Sequence, residues 1–330
     1  MRVLLAIGVL AAFLAVPAVA AAPSGRIVFV RETGGQTELF SIRPDRTGLK
    51  RLTREPGRDG VPAWSPDGRL IASFGTGGIV ITRADGSHVR RIAIPVEGFP
   101  DELDWSPDGR WLSYLVEHCS YQDPRGYVVT PCADLWVVRP DGTDGRRLLD
   151  QDVDMVEGPS YSWSPGSQRL VYEALSTGPT WLAVIDLSSG ESRRIPGTAG
   201  AADPAWSARG AIAFVLRRGL FTARPDGRGL RRLVRGNALS RPAWTRDGRR
   251  LAYLSAERAR VGNRWGVWVA RADGSRRRRI GAATEDRRLV WSPGSTHLVW
   301  ENFAQRLFVA EASRPGSARF LTRGSEPDWR

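Results

Sequence analysis

The sequence predicts an all-β fold, a seven-bladed β-propeller of four-stranded antiparallel blades. Three observations carry this. A phrase close to Pro-Ala-Trp-Ser-Pro-Asp-Gly-Arg recurs, centred on Trp64, Trp105, Trp163, Trp206, Trp244, Trp291 and Trp329. Its spacings of 41, 58, 43, 38, 47 and 38 residues match one propeller blade per repeat. Finally, Trp329 has no blade of its own while the first unit lacks an inner strand, so the two ends can complete one blade between them.

Each repeat reads as four strands. In the unit that begins at Pro62, Ala63-Trp64 is an inner strand and Ser65-Pro66-Asp67-Gly68 a turn. Proline presets φ there, aspartate bonds its own backbone and glycine takes a positive φ. A second strand follows at Leu70 to Phe74, a glycine-rich loop at Gly75 to Gly78, and a third strand at Ile79 to Thr82. The turn Arg83-Ala84-Asp85-Gly86 leads to an outer strand at Val89 to Ile92. The same order repeats over Leu103–Leu149, Tyr161–Ile195, Pro204–Val234, Pro242–Ile280 and Leu289–Leu321. Gly25 to Val30, Glu38 to Ile42 and Leu49 to Thr53 supply the second, third and outer strands of a seventh unit, and Glu326 to Trp329 its inner one. Pairing these ends closes the ring and removes the open sheet edges. A six-bladed ring is the alternative, if the degenerate unit Pro204–Val234, with its Trp206-Ser207-Ala208-Arg209-Gly210 turn, packs irregularly.

Trp64 to Arg69 and Trp105 to Arg110 both read Trp-Ser-Pro-Asp-Gly-Arg, and Arg139 to Thr143 and Arg224 to Gly227 supply the second turn. These repeats resemble the WD40-like β-propeller repeats of the TolB family over residues 25–330. The resemblance is to the propeller part only, without the α/β domain that precedes it in TolB, so the role of that domain is not carried over. Similar repeats serve envelope scaffolds, the propeller halves of prolyl-oligopeptidase-like peptidases and some polysaccharide lyases. The resemblance is therefore specific for the repeat and weak for function.

Met1-Arg2, an apolar run from Val3 to Val16, then Pro17 and Ala18-Val19-Ala20 have the layout of a secretory signal peptide over residues 1–22. The expected location is exported: secreted, periplasmic or associated with the cell envelope. An uncleaved anchor is the competing reading, because the stretch approaches the ~20 residues of a spanning helix. Residues 25–330 read as a single propeller domain, since no linker or low-complexity break interrupts the repeats. Seven of the thirteen tryptophans occupy the inner-strand position, where each can bury ~150–250 Å² between sheets.

The two cysteines, Cys119 and Cys132, fall in an insertion of the 58-residue unit. An exported chain meets an oxidising compartment, so a Cys119–Cys132 disulfide is predicted. Closing a loop of about 14 residues stabilises by roughly 3 kcal/mol in the chain-entropy model.

The net charge of +13 comes almost wholly from arginine, Lys50 being the only lysine. The arginines crowd the second turns and outer strands, as at Arg90-Arg91, Arg193-Arg194, Arg231-Arg232 and Arg276 to Arg279. Such a rim deters sheet-to-sheet association and offers a surface for an anionic polymer or lipid. Export and the lack of a recognisable motif argue against nucleic acid. Acids gather instead in the links between blades: Asp59, Asp101, Glu102, Asp154, Glu157, Asp203, Glu285, Asp286 and Glu326. These links share one face around the channel, so the sequence predicts an acidic mouth fit for a cation, a basic peptide or the donors of a sugar. Local turn capping is the competing reading of the same acids.

Catalysis finds little support. No Gly-x-Ser-x-Gly elbow is present, and the three histidines, His88, His118 and His297, fall in different loops. No cofactor and no metal site is expected; a carboxylate-only calcium site is a minority option without an Asp-x-Asp-x-Asp-Gly loop. The favoured reading is an exported, monomeric, non-catalytic propeller whose acidic face and disulfide-held loop bind a protein or glycan of the envelope. The alternative is a metal-dependent polysaccharide lyase or lactonase-like propeller enzyme.

Overall fold

A computed structural model describes residues 24–54, 59–94, 99–117, 121–122, 128–129, 132–149, 156–157, 161–174, 179–236, 238–258, 263–284 and 288–330. Seven antiparallel sheets, each built on a run of four strands, stand around a central channel. Blade 1 joins the two ends of the chain in the order Lys50–Arg51, Gln36–Ile42, Ile27–Thr33, Ser325–Trp329. Ile27 pairs with Trp329 and Val28 with Asp328, which is the ring closure expected from the unpaired final tryptophan. Blades 2 to 7 each run outward along the chain from an inner strand that ends on its tryptophan. The Trp206 unit forms a regular blade, so the ring has seven blades and the six-bladed alternative falls.

The repeated turn folds as its residues dictate. Ser65 Oγ donates to Asp67 Oδ1 at 2.6 Å and accepts the Leu70 N–H at 2.9 Å, while Asp67 Oδ1 accepts the Arg69 N–H at 3.0 Å. Gly68 closes the turn with φ 71°. Ser106 with Asp108 and Thr245 with Asp247 repeat the arrangement. In the second turn, Gly86 has φ 86°, and a Cβ there would meet the Leu52 carbonyl oxygen of blade 1 at 2.8 Å. Glycine is required at this close approach on both counts.

One apolar cluster fills each seam between neighbouring blades. The inner tryptophans also stitch blade to blade. Trp105 Nε1 donates to the Ala63 carbonyl at 3.0 Å, Trp244 Nε1 to Ala205 at 3.0 Å and Trp291 Nε1 to Ala243 at 2.9 Å. Each of these three indoles thus reaches the carbonyl just before the tryptophan of the preceding blade, a bond that a purely apolar side chain could not make.

Blade 3 departs from the pattern. Val156–Glu157 adds a short strand beside Cys132–Ala133, and Tyr121–Gln122 pairs with Val128–Val129 as a separate ribbon. Cys132 opens a strand of this blade; the predicted disulfide falls on Cys119, outside the described residues. The leader, residues 1–22, lies outside them too. Among the described residues no helix is long and apolar enough to cross a membrane.

Candidate functional site

The channel is the candidate site, and the inner strands build it. Three residues before the tryptophan, Val61, Glu102, Asp203, Arg241 and Glu326 have φ between 42° and 53°. Each sits at a register shift against the second strand. An extra residue at such a bulge kinks the strand and re-aims the side chain. In blade 7 the same position holds Arg288. One position of the repeat therefore holds Glu102, Asp203, Arg241, Arg288 and Glu326, and the first four border one cavity.

These charges are bound into the ring. Glu326 Oε2 accepts the Val61 N–H at 2.5 Å, and Asp203 Oδ2 accepts the Arg241 N–H at 3.2 Å. Glu301 Oε2 accepts the Glu326 N–H at 2.6 Å, and Glu173 Oε2 the Asp203 N–H at 3.3 Å. One residue before the tryptophan, Asp328 Oδ2 accepts the Trp64 N–H at 2.6 Å and Ser162 Oγ the Trp206 N–H at 3.0 Å. Inner strands leave one edge of backbone donors unpaired, and these side chains satisfy that edge.

Two cavities divide the channel. A link-side cavity of about 290 Å³ is bordered by Glu102, Tyr161, Asp203 and Arg241. A turn-side cavity of about 490 Å³ is walled by the seven motif tryptophans, Pro66, Pro107, Pro165, Pro293, Arg246 and Arg330. Asp104 and Arg288 border both, so they mark the waist.

Electrostatics at the waist is strongly coupled. Burial raises the Asp104 pKa to about 6, against the pull of Arg288 and with Asp328 adding to the rise. Burial raises Glu102 as well, opposed by Arg288 and Arg241. Burial acts on Arg288 in the opposite sense, yet Glu102, Asp104, Asp328 and Tyr161 outweigh it and its pKa rises. Arg288 is therefore a permanent cation among acids, and it holds them together. Tyr161 is pushed well above its ordinary value by burial and by Asp104. Its hydroxyl donates toward the Glu102 and Ser113 carbonyls at 2.9 and 3.0 Å, fixing its position under the mouth.

The structure brings Glu102 and Asp203 to the link-side cavity, with Glu326 in the same register. Asp101 caps its own strand, accepting the Glu102 N–H at 2.8 Å. Asp59 lies elsewhere, in a cleft between blades 1 and 2, where its N–H and carbonyl bond Thr37 at 3.0 and 2.8 Å. Glu157 is placed in the extra strand of blade 3. Asp154, Glu285 and Asp286 fall outside the described residues. Sequence reasoning missed Asp104, Tyr161, Arg241, Arg288 and Asp328. Their signal was register: they stand one, two or three residues before a motif tryptophan. Counting only acids in the links hid the two arginines, which make the mouth mixed in sign.

On the rim, the outer-strand arginines Arg90, Arg91, Arg193, Arg194, Arg231 and Arg232 are exposed. Arg194 stacks on Trp181 at 4.9 Å, and Arg139 and Arg146 on Trp111 at 4.6 and 4.9 Å. His88 and His297 stand on blades 2 and 7. Among the described residues no three of His, Cys, Asp and Glu converge as metal ligands.

No protein-family model matches the chain. A Protein TolB homolog of Chlorobium luteolum is 29% identical over 174 residues, a match covering 51% of this chain and 35% of that protein. The matched stretch thus spans about a third of the relative's length. Among solved structures, TolB from Acinetobacter baumannii aligns with a TM-score of 0.57 at 15% identity, covering 93% of this chain and 67% of that one. Oligogalacturonate lyase from Vibrio parahaemolyticus aligns with a TM-score of 0.62 at 14% identity, covering 91% and 86%. A fold shared at such identities hosts different chemistries. The repeats and the closed ring make the chain a seven-bladed β-propeller, and these likenesses show it to be similar to the propeller of TolB.

Proposed function

We propose that this chain is an exported, non-catalytic TolB-like propeller that binds a protein or glycan partner of the cell envelope through the link-side mouth of its channel. One observation carries the reading: Glu102, Asp203, Arg241, Arg288 and Glu326 occupy one register on adjoining or neighbouring inner strands. Bonds such as Asp203 to the Arg241 N–H hold that register before any partner arrives. A surface already ordered loses little entropy on binding. Paired acids and arginines suit a peptide segment of mixed charge or the hydroxyls of a glycan. The layout of residues 1–22 supports export, and the exposed rim arginines supply a secondary surface for an anionic polymer or lipid.

Pull-down from an envelope extract tests the reading. Neutralising Asp203 and Glu326 together with the link acids Asp154, Glu157 and Glu285 is expected to abolish capture. Unchanged capture by a variant that unfolds like wild type overturns the proposal. The fold shared with oligogalacturonate lyase keeps an enzyme as the second reading. Its metal ligands would have to include groups outside the described residues, and stoichiometric metal in the purified protein would favour it.

A further inference from the structure

Away from the channel, a cavity of about 230 Å³ opens between blades 1 and 2. It lies below the ~300–1,000 Å³ of pockets for drug-sized ligands. Its floor holds Thr82, only 2% exposed, whose hydroxyl has no hydrogen-bond partner among the described residues. Most buried polar groups are partnered, so an orphan on a cavity wall needs an explanation. Three nitrogen-bearing side chains, Arg54, His88 and Arg91, stand exposed on the same cavity. Asp59 supplies a carboxylate, and Thr53 Oγ1 donates to it, so its orientation is set from behind. Val80, at 6% exposure, gives one wall an apolar face.

We propose that this cleft binds a small hydroxylated anion of monosaccharide size, a sugar acid or a sugar phosphate. The Arg54 guanidinium takes the anionic group at the opening, beside Arg91, which already donates to the Thr76 carbonyl, since charge-assisted bonds from arginine to carboxylate or phosphate are the strong ones. Asp59 accepts from a sugar hydroxyl, Thr82 completes a bond with another, and Val80 meets the ring face. A cleft of this volume has room for several waters, at ~30 Å³ per molecule. A sugar replaces several waters with groups of the same hydrogen-bonding kind.

Calorimetric titration of the intact protein at low salt tests this with glucuronate, glucose 6-phosphate and glucose. At least one anion is expected to bind with one-to-one stoichiometry, and glucose ~10-fold more weakly or worse, the loss of a charged hydrogen bond. The comparison of the two anions decides between carboxylate and phosphate. Thr82→Val keeps the side-chain shape and removes the orphan hydroxyl. It is expected to weaken the anion about 5- to 10-fold, one hydrogen bond's worth, while the melting temperature holds or rises. Arg54→Gln, at an exposed position, is expected to weaken the anion without changing stability. Failure of both anions to bind at millimolar concentration overturns the proposal. So does binding that both variants leave unchanged. None of these residues borders the channel cavities, so this test and the pull-down succeed or fail separately.

Discussion

Blade 2 packs against two neighbours in two different ways. Toward blade 3 it presents Ala63, Ala72, Phe74, Ile79 and Ile81, which meet Leu103, Trp105, Leu112 and Tyr114 in a continuous apolar seam. Toward blade 1 it presents Trp64 and Ile71, which meet Val28, Val30, Leu39 and Leu52. This second seam also carries more polar groups: Ser73 Oγ, Thr82 Oγ1 and Trp64 Nε1 are buried without partners among the described residues, whereas the seam with blade 3 has Trp136 Nε1. Strand Gly78–Arg83 serves both, sending Ile79 and Ile81 one way and Val80 and Thr82 the other. The difference teaches how a ring of similar blades divides its labour. One seam supplies stability, and the seam beside the closing blade leaves room for a ligand, as binding regions are commonly drawn from the less stable parts of a fold.

The largest test removes a tryptophan from each seam. Trp105→Ala is expected to cost about 3–5 kcal/mol, the range for a large aromatic removed from a core, and it also breaks the bond to the Ala63 carbonyl. Trp64→Ala deletes a side chain of the same size whose indole N–H bonds nothing described. It should cost about 1 kcal/mol less, the net worth of a hydrogen bond. Urea denaturation at one pH measures both, and equal losses would erase the distinction between the seams.

Next in size is a swap within one strand. Ile81→Thr places on the apolar seam the kind of residue that Thr82 places on the polar one. It removes buried carbon and adds a hydroxyl with no acceptor, at an expected cost of about 2–3 kcal/mol. A cost below about 0.5 kcal/mol, the noise level of exposed surface changes, would mean that the two faces of the strand are equivalent.

Much of this was legible beforehand, and the particular residues show why. Trp64, Asp67 and Gly68 announce a strand and its turn because local chemistry dictates them, and the repeat of that phrase carries the blade count. Trp329 announced the closure for the same reason. The mouth was legible only in part. Asp203 and Glu326 stood out as acids near a motif tryptophan, whereas Arg288 acquires its meaning from Glu102, Asp104 and Asp328, which are remote in sequence and meet it across the channel. Asp59 misled for the opposite reason. It sits in a link like the others, but Thr37 and Thr53 draw it into the cleft, and no local pattern encodes that partnership.

The closing blade's grip on blade 2 gives a third prediction. Asp328→Ala removes the acceptor of the Trp64 N–H and leaves that donor orphaned, at an expected cost of about 1–2 kcal/mol. Asp328→Asn keeps an acceptor and should recover most of the loss. If both variants match wild type, the carboxylate does not hold this seam.

Asp104 occupies the equivalent position in blade 3, and there pH is the probe. Its pKa rises from 3.8 unfolded to about 6 folded, so between these values the native state binds more protons than the unfolded chain. Its contribution to stability is full below about pH 4, falls as pH rises and levels off above about pH 6. Asp104→Asn does not titrate, so the variant should gain on wild type across that window. A constant difference from pH 4 to pH 7 would show that channel water screens the group completely.

The smallest effect sharpens the comparison most directly. Ser73 pairs with Val80 across two strands of blade 2, and its hydroxyl is fully buried and unpartnered among the described residues. Ser73→Ala removes that group with almost no change in volume. Here the folded state should gain up to about 1 kcal/mol, since a buried donor without an acceptor has lost its water for nothing. A loss of similar size would show that an ordered water serves Ser73. In that case the polar seam is hydrated at the depth of Ser73.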